Sequence, residues 1–93
     1  MAKIQRRGRF SVYILRCADG TFYTGYTADL SRRLLLHNSG QGAKYTRSRL
    51  PVVLVWSREY RYFKRAFLAE LKIKRLTRKQ KIRLIGGGIQ AKP

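Results

Sequence analysis

FSVYILRCADGTFYTGYT, residues 10–27, sets two runs rich in β-branched and aromatic side chains on either side of the turn signal ADGT. Such side chains suit a pleated, half-buried surface, and a short polar segment with glycine reverses the chain, so the pattern predicts a β-hairpin. Asp19 is then a turn residue. In a regular register the odd-numbered positions of both strands share a face, which puts Tyr13 and Tyr23 on one side of the sheet. Paired tyrosines in a sheet are ordinarily packing.

Working outward, DLSRRLLLHN (29–38) reads as a short helix capped by Asp29, with Leu30, Leu34 and His37 at helical spacing. SGQGAKYTRSRLP forms a basic loop. Pro51 can open a third strand, VVLVWSREY, apolar enough to lie centrally or nearly so. A long basic helix from about Tyr62 to Leu76 follows, and Thr77 can cap a shorter one, RKQKIRLI, that stops at GGG. The expected fold is a small α+β domain, a three-stranded antiparallel sheet with flanking helices in the order β-β-α-β-α-α. Residues 10–85 make up that domain, between a basic flexible arm (1–9) and a flexible tail (86–93).

Ninety-three residues suffice for one modest core. Twenty-two Lys and Arg face only Asp19, Asp29, Glu59 and Glu70, a formal charge of +18 that repels itself unless a polyanion is near. Nucleic acid is the expected partner. The longest apolar runs, LLL and VVLVW, are too short to span a bilayer, and the basic start MAKIQRRGR leads into no apolar stretch of signal-peptide length. No membrane partner is expected, and the expected location is cytoplasmic. Cys17 stands alone, which excludes an intramolecular disulfide and reads as a small buried thiol.

Glu70 is the one carboxylate in a helix crowded with Lys64, Arg65, Lys72, Lys74 and Arg75, and it sits on or beside the apolar stripe with Phe63, Ala66 and Ile73. Two readings stand open: an intrahelical pair with Lys74 at i+4, or a Mg²⁺ ligand, since magnesium is typically held by one or two carboxylates with water and phosphate. Arg33 and His37, four apart, meet on one helix face, and the Arg33 fork matches a phosphate. Taken alone, Arg33 reads as general phosphate affinity and His37 as a helix-end residue capping carbonyls.

SVYIL followed ten residues later by FYTGYT resembles the two-part signature of the GIY-YIG nuclease domain, with Ser11, Val12 and Tyr13 standing for the first triplet and Tyr23, Thr24 and Gly25 for the second. TGYTADLSRRLLLHN and GAKYTRSRLP look most like the short, stand-alone bacterial type. The resemblance covers roughly residues 10 to 85. Ser11 in place of the first glycine, Thr24 in place of isoleucine and Tyr26 in place of a smaller residue are the departures.

That resemblance implies hydrolysis of phosphodiester bonds in DNA, structured or damaged DNA included, rather than RNA. It assigns catalytic positions to Tyr13, Tyr23, Arg33, His37 and Glu70. Tyr13 would be the general base for water; because a free phenol titrates near about 10, Arg16, Arg33 and the metal would have to favour its charged form. Tyr23 would position water or phosphate, Glu70 would hold one divalent ion, Mg²⁺ or Mn²⁺, and His37 would orient a tyrosine or contact phosphate. Arg16, Lys44, Tyr45, Arg47 and Arg49 are the expected nucleic-acid contacts, with Tyr45 available for stacking. The family usually gains specificity from added domains, so a partner protein is expected to supply it. A nucleic-acid-binding module without turnover is the alternative.

Overall fold

Val12, Tyr13, Ile14 and Leu15 are all buried in the computed structural model, which describes residues 7–87. A strand buried on both faces belongs in the middle of its sheet, and β1 (Arg7–Arg16) lies there, between β2 (Phe22–Thr27) and β3 (Val53–Tyr62) in the antiparallel order β2-β1-β3. The helices are α1 (Leu30–Asn38), the single turn α2 (Lys44–Arg47), α3 (Phe63–Lys74) and α4 (Arg78–Ile85). The expected α+β class and order of elements are those observed, but β3, expected to lie centrally or nearly so, is an edge strand with exposed and half-buried residues, because β1 carries the doubly buried run and pairs on both sides.

Alternation along β1 builds two cores. Even-numbered Phe10, Val12 and Ile14 pack on Ala66 and Ile73 of α3, with Leu84 and Ile85 of α4 at the margin. Odd-numbered Tyr13 and Leu15 join Cys17 and Val52 beneath Leu30 and Leu34 of α1. The sheet is thus covered by α3 and α4 on one side and by α1 with its following turn on the other.

Local chemistry starts and stops the helices. Asp29 is extended (φ −144°) and accepts the Arg32 amide at 3.1 Å, satisfying a donor that α1 leaves free. Thr77 and Gln80 form a reciprocal capping box on α4, with contacts of 3.1 and 2.9 Å. Asn38 then fixes where α1 ends: its amide donates to the Val52 carbonyl at 3.1 Å while its side-chain oxygen accepts the Val52 amide at 2.8 Å. This clasp ties α1 to the entrance of β3.

Several boundaries differ from the expected ones. β1 begins at Arg7 rather than near Phe10, because pairing with β3 continues across an irregularity to Arg7 opposite Tyr62. β3 starts at Val53, since Val52 is held by Asn38 instead. α3 ends at Lys74, and the basic loop contains α2. The remainder of the expected arm, residues 1–6, and of the tail, residues 88–93, lies outside the described residues. Among the described residues no helix is long and apolar enough to cross a membrane.

Candidate active site

Tyr13 pairs with Gly25 and Leu15 with Tyr23, so the two tyrosines are diagonal neighbours on the odd-numbered face, ring centroids 6.4 Å apart. A Cβ at Gly25 would come within 2.7 Å of the Tyr13 hydroxyl and 3.1 Å of the Tyr23 ring. The glycine of YTG is therefore what lets the Tyr13 phenol lie across β2.

His37, on the last turn of α1, is fully buried. Its Nε2 lies 3.0 Å from the Tyr13 hydroxyl and its Nδ1 2.9 Å from Thr46 Oγ1 in α2. Both ring nitrogens are thus committed to side chains, and the alternative of His37 capping helix carbonyls is not the one the fold uses. Burial, and then the charge of Arg33, holds the imidazole below its ordinary pKa, so it is neutral at pH 7. Arg33, one turn earlier, acts on the Tyr13 and Tyr23 phenols, and these interactions favour its charged guanidinium.

Tyr13 departs from expectation. Its pKa is raised, because burial of the phenol outweighs the hydrogen bond and charge of Arg33. Arg16 gives no help: it is exposed at an even-numbered position, on the other face from Tyr13. Among the protein's own groups the balance keeps Tyr13 protonated.

Glu70 lies on the buried stripe of α3 with Ala66 and Ile73, and α3 touches all three strands. Its Oε2 pairs with Lys74 Nζ at 3.2 Å, the i+4 partner that the sequence allowed. Its charge also reaches Tyr13, where it opposes ionisation. No cluster of three or more His, Cys, Asp and Glu forms among the described residues. The donor chemistry fits a hard cation: an anionic oxygen set in a nearly buried position, balanced only by a half-exposed lysine, leaves most of the coordination shell to water and phosphate.

The basic loop divides in two. Lys44 and Arg47 are exposed to solvent. Arg49 is held within the protein, with Nε 3.0 Å from Asp19 Oδ2 and Nη1 2.7 Å from the Tyr45 carbonyl, and its guanidinium lies 3.9 Å over the Tyr45 ring. Tyr45 in turn stacks on Tyr23, centroids 6.1 Å apart and planes 22° from parallel. This strut links the hairpin turn to the site tyrosines.

The structure brings Tyr13, Tyr23, Arg33 and His37 together and connects Glu70 to them through its charge. Sequence reasoning missed Thr46 and Gly42. A Cβ on Gly42 would collide with His37 Nδ1 and lie 2.8 Å from His37 Cα, so the loop backbone presses on the imidazole. The usable signal for Thr46 was indirect: a buried imidazole needs two partners, and the following loop had to supply the second.

This arrangement of two tyrosines, Arg and His, with Glu70 on α3, coincides with the match of the GIY-YIG catalytic domain to residues 9–83. The chain belongs to the GIY-YIG family. Its relatives include a UPF0213 protein of Streptococcus agalactiae, 51% identical over 74 residues that cover 80% of this chain and 84% of the relative. Another, from Staphylococcus epidermidis, is 47% identical over 77 residues, covering 83% and 94%. The solution NMR structure of a UPF0213 protein from Bacillus halodurans superposes with a TM-score of 0.57 at 45% identity, covering 84% of this chain and 83% of that one. An E. faecalis protein solved by NMR gives 0.61 at 39% identity, covering 94% and 93%. GIY-YIG membership implies nuclease-like activity and binding to nucleic acid, and GIY-YIG nucleases generally use a divalent metal.

Proposed function

We propose that this GIY-YIG chain is a metal-dependent endonuclease that hydrolyses phosphodiester bonds in DNA, including structured or damaged DNA. The observation that carries the reading is the Tyr13 hydroxyl held 3.0 Å from a buried His37, with the charge of Arg33 acting on both groups. A tyrosine that only fills a core does not need a buried imidazole on its hydroxyl and a guanidinium charge acting on it as well.

With its pKa raised, Tyr13 meets an attacking water as a phenol. It takes the water's proton while passing its own to His37 Nε2, so the base strength comes from the imidazole. The water oxygen bonds to phosphorus as the bond from phosphorus to the leaving oxygen breaks, and the leaving oxygen departs with the bonding pair and takes a proton from solvent water. Arg33 neutralises the charge that builds on the nonbridging oxygens, and Tyr23 positions water or phosphate. Glu70 would hold Mg²⁺ or Mn²⁺, which when bound supplies Lewis-acid stabilisation of the phosphate oxygens. Lys44 and Arg47 supply backbone contacts within a chain of charge +18, and a partner protein supplies selectivity.

The Glu70–Lys74 pair favours a second reading, a nucleic-acid-binding module in which Lys74 has taken the place of a metal. Cleavage of labelled single-stranded, duplex, flap and branched DNA and RNA, with Mg²⁺, Mn²⁺ or EDTA, separates the two. The nuclease reading expects metal-dependent cutting of DNA that is lost in Glu70→Ala and in Tyr13→Phe. Equal tight binding by all three proteins without cutting would establish the binding module instead.

A further inference from the structure

We propose that Thr46 is a positioning residue that locks His37 as the Nδ1-protonated tautomer, keeping Nε2 bare toward the Tyr13 hydroxyl. Thr46 Oγ1 lies 2.9 Å from the Ala43 carbonyl and 2.9 Å from His37 Nδ1. A carbonyl has no proton to give, so the threonine hydroxyl donates its one proton to Ala43. Toward His37 it has only lone pairs left, so Nδ1 must carry the imidazole proton. A neutral ring holds one proton, and Nε2 is left as the acceptor of the Tyr13 O–H at 3.0 Å.

The chain of donors therefore runs one way, from Tyr13 through His37 and Thr46 to Ala43. Its far end is fixed, because the Ala43 carbonyl also receives the Thr46 and Arg47 amides at 3.1 and 3.2 Å as α2 begins. Thr46 and His37 are both fully buried, which leaves the hydroxyl no solvent competitor. Gly42 closes the remaining side of the ring. When Tyr13 releases its proton to Nε2 the ring becomes an imidazolium whose Nδ1–H stays on Thr46, so no proton leaves through the threonine. The catalytic consequence rests on the nuclease reading; the tautomer does not.

His37 is the only histidine in the chain, so the imidazole ¹⁵N spectrum of labelled protein reports one ring. At neutral pH the wild type is expected to show a protonated Nδ1 and a bare Nε2. Thr46→Val, which keeps the volume and removes the hydroxyl, is expected to move the proton toward Nε2, and Thr46→Ser to restore the wild-type pattern. Cleavage by Thr46→Val should fall in kcat by roughly 10- to 100-fold, by analogy with the orienting partners of metal-bound imidazoles, with KM little changed and activity regained in Thr46→Ser. A wild-type ring protonated at Nε2, or unchanged ring shifts in Thr46→Val, would overturn the lock. Should Thr46→Val fail to fold, the wild-type spectrum decides alone. The expected wild-type spectrum without cleavage of any nucleic acid would remove the nuclease reading and leave the lock standing.

Discussion

On its even-numbered face β1 presents Phe10, Val12 and Ile14 to Ala66 and Ile73, while its odd-numbered face presents Tyr13 to His37, whose other ring nitrogen meets Thr46, and to the charge of Arg33. The apolar side is stabilised by area removed from water and by close packing, contributions that grow with every methylene and have no direction. The polar side depends on each buried donor meeting one acceptor, so a single lost atom leaves another group unpaired in a low-dielectric interior. Substitutions on the first face should therefore change stability, and those on the second should change chemistry more than stability.

The widest separation is expected from Ile14→Ala, which removes a fully buried side chain from the apolar face. It should lower unfolding free energy by about 2–5 kcal/mol in a denaturant titration while leaving the His37 ring signals in place. Altered ring signals in a still-folded Ile14→Ala protein would show that the two faces are coupled. Gly42→Ala tests the other side: its Cβ would drive into the imidazole, and a cost of about 1–3 kcal/mol should come with a displaced His37 spectrum. An unperturbed ring would mean that the loop yields and does not hold His37.

Thr24 sharpens the comparison because it is a polar atom on the apolar side. Its Oγ1 is buried and unpartnered among the described residues, at the position where the resemblance expects isoleucine. Thr24→Val should stabilise the protein by about 1 kcal/mol, a rise in Tm of roughly 4–8 °C for a domain of this size. A lower Tm would indicate that the hydroxyl has a partner. The gentlest effect is pH dependence from His37. Its folded pKa lies below the ordinary value of 6.5, so below that pH the unfolded chain binds a proton that the folded one refuses. Stability is complete above 6.5 and declines as pH falls toward the folded value. Melting curves of wild type and His37→Gln between about pH 7 and 5 should diverge in that direction, well above the range where Asp19, held below its usual pKa by Thr21 and Arg49, titrates. Parallel curves would place His37 in contact with water.

Local signals carried far. The Thr77 cap was legible because its partner is three residues away, and the hairpin because its turn and both strands are contiguous. Tyr13, Tyr23, Arg33, His37 and Glu70 could be singled out from spacing and from the family resemblance, since each stands at a recognisable place in a strand or helix. Arg49 could not be separated from Lys44 and Arg47, because only the folded hairpin turn brings Asp19, thirty residues earlier, to its guanidinium. Thr46 could not be separated from any other loop hydroxyl.

The amino-acid sequence by itself determined the order of elements, the two-sided character of β1, the basic charge and the identities of the reactive groups, because alternation, capping and charge are properties of neighbours along the chain. Only the tertiary structure decided their state. Burial overrode Arg33 in keeping Tyr13 protonated, and a hydroxyl on a one-turn helix set the direction of the hydrogen bonds through His37. Protonation and hydrogen-bond direction follow from desolvation and from which donor faces which acceptor, and both arise only when distant segments meet.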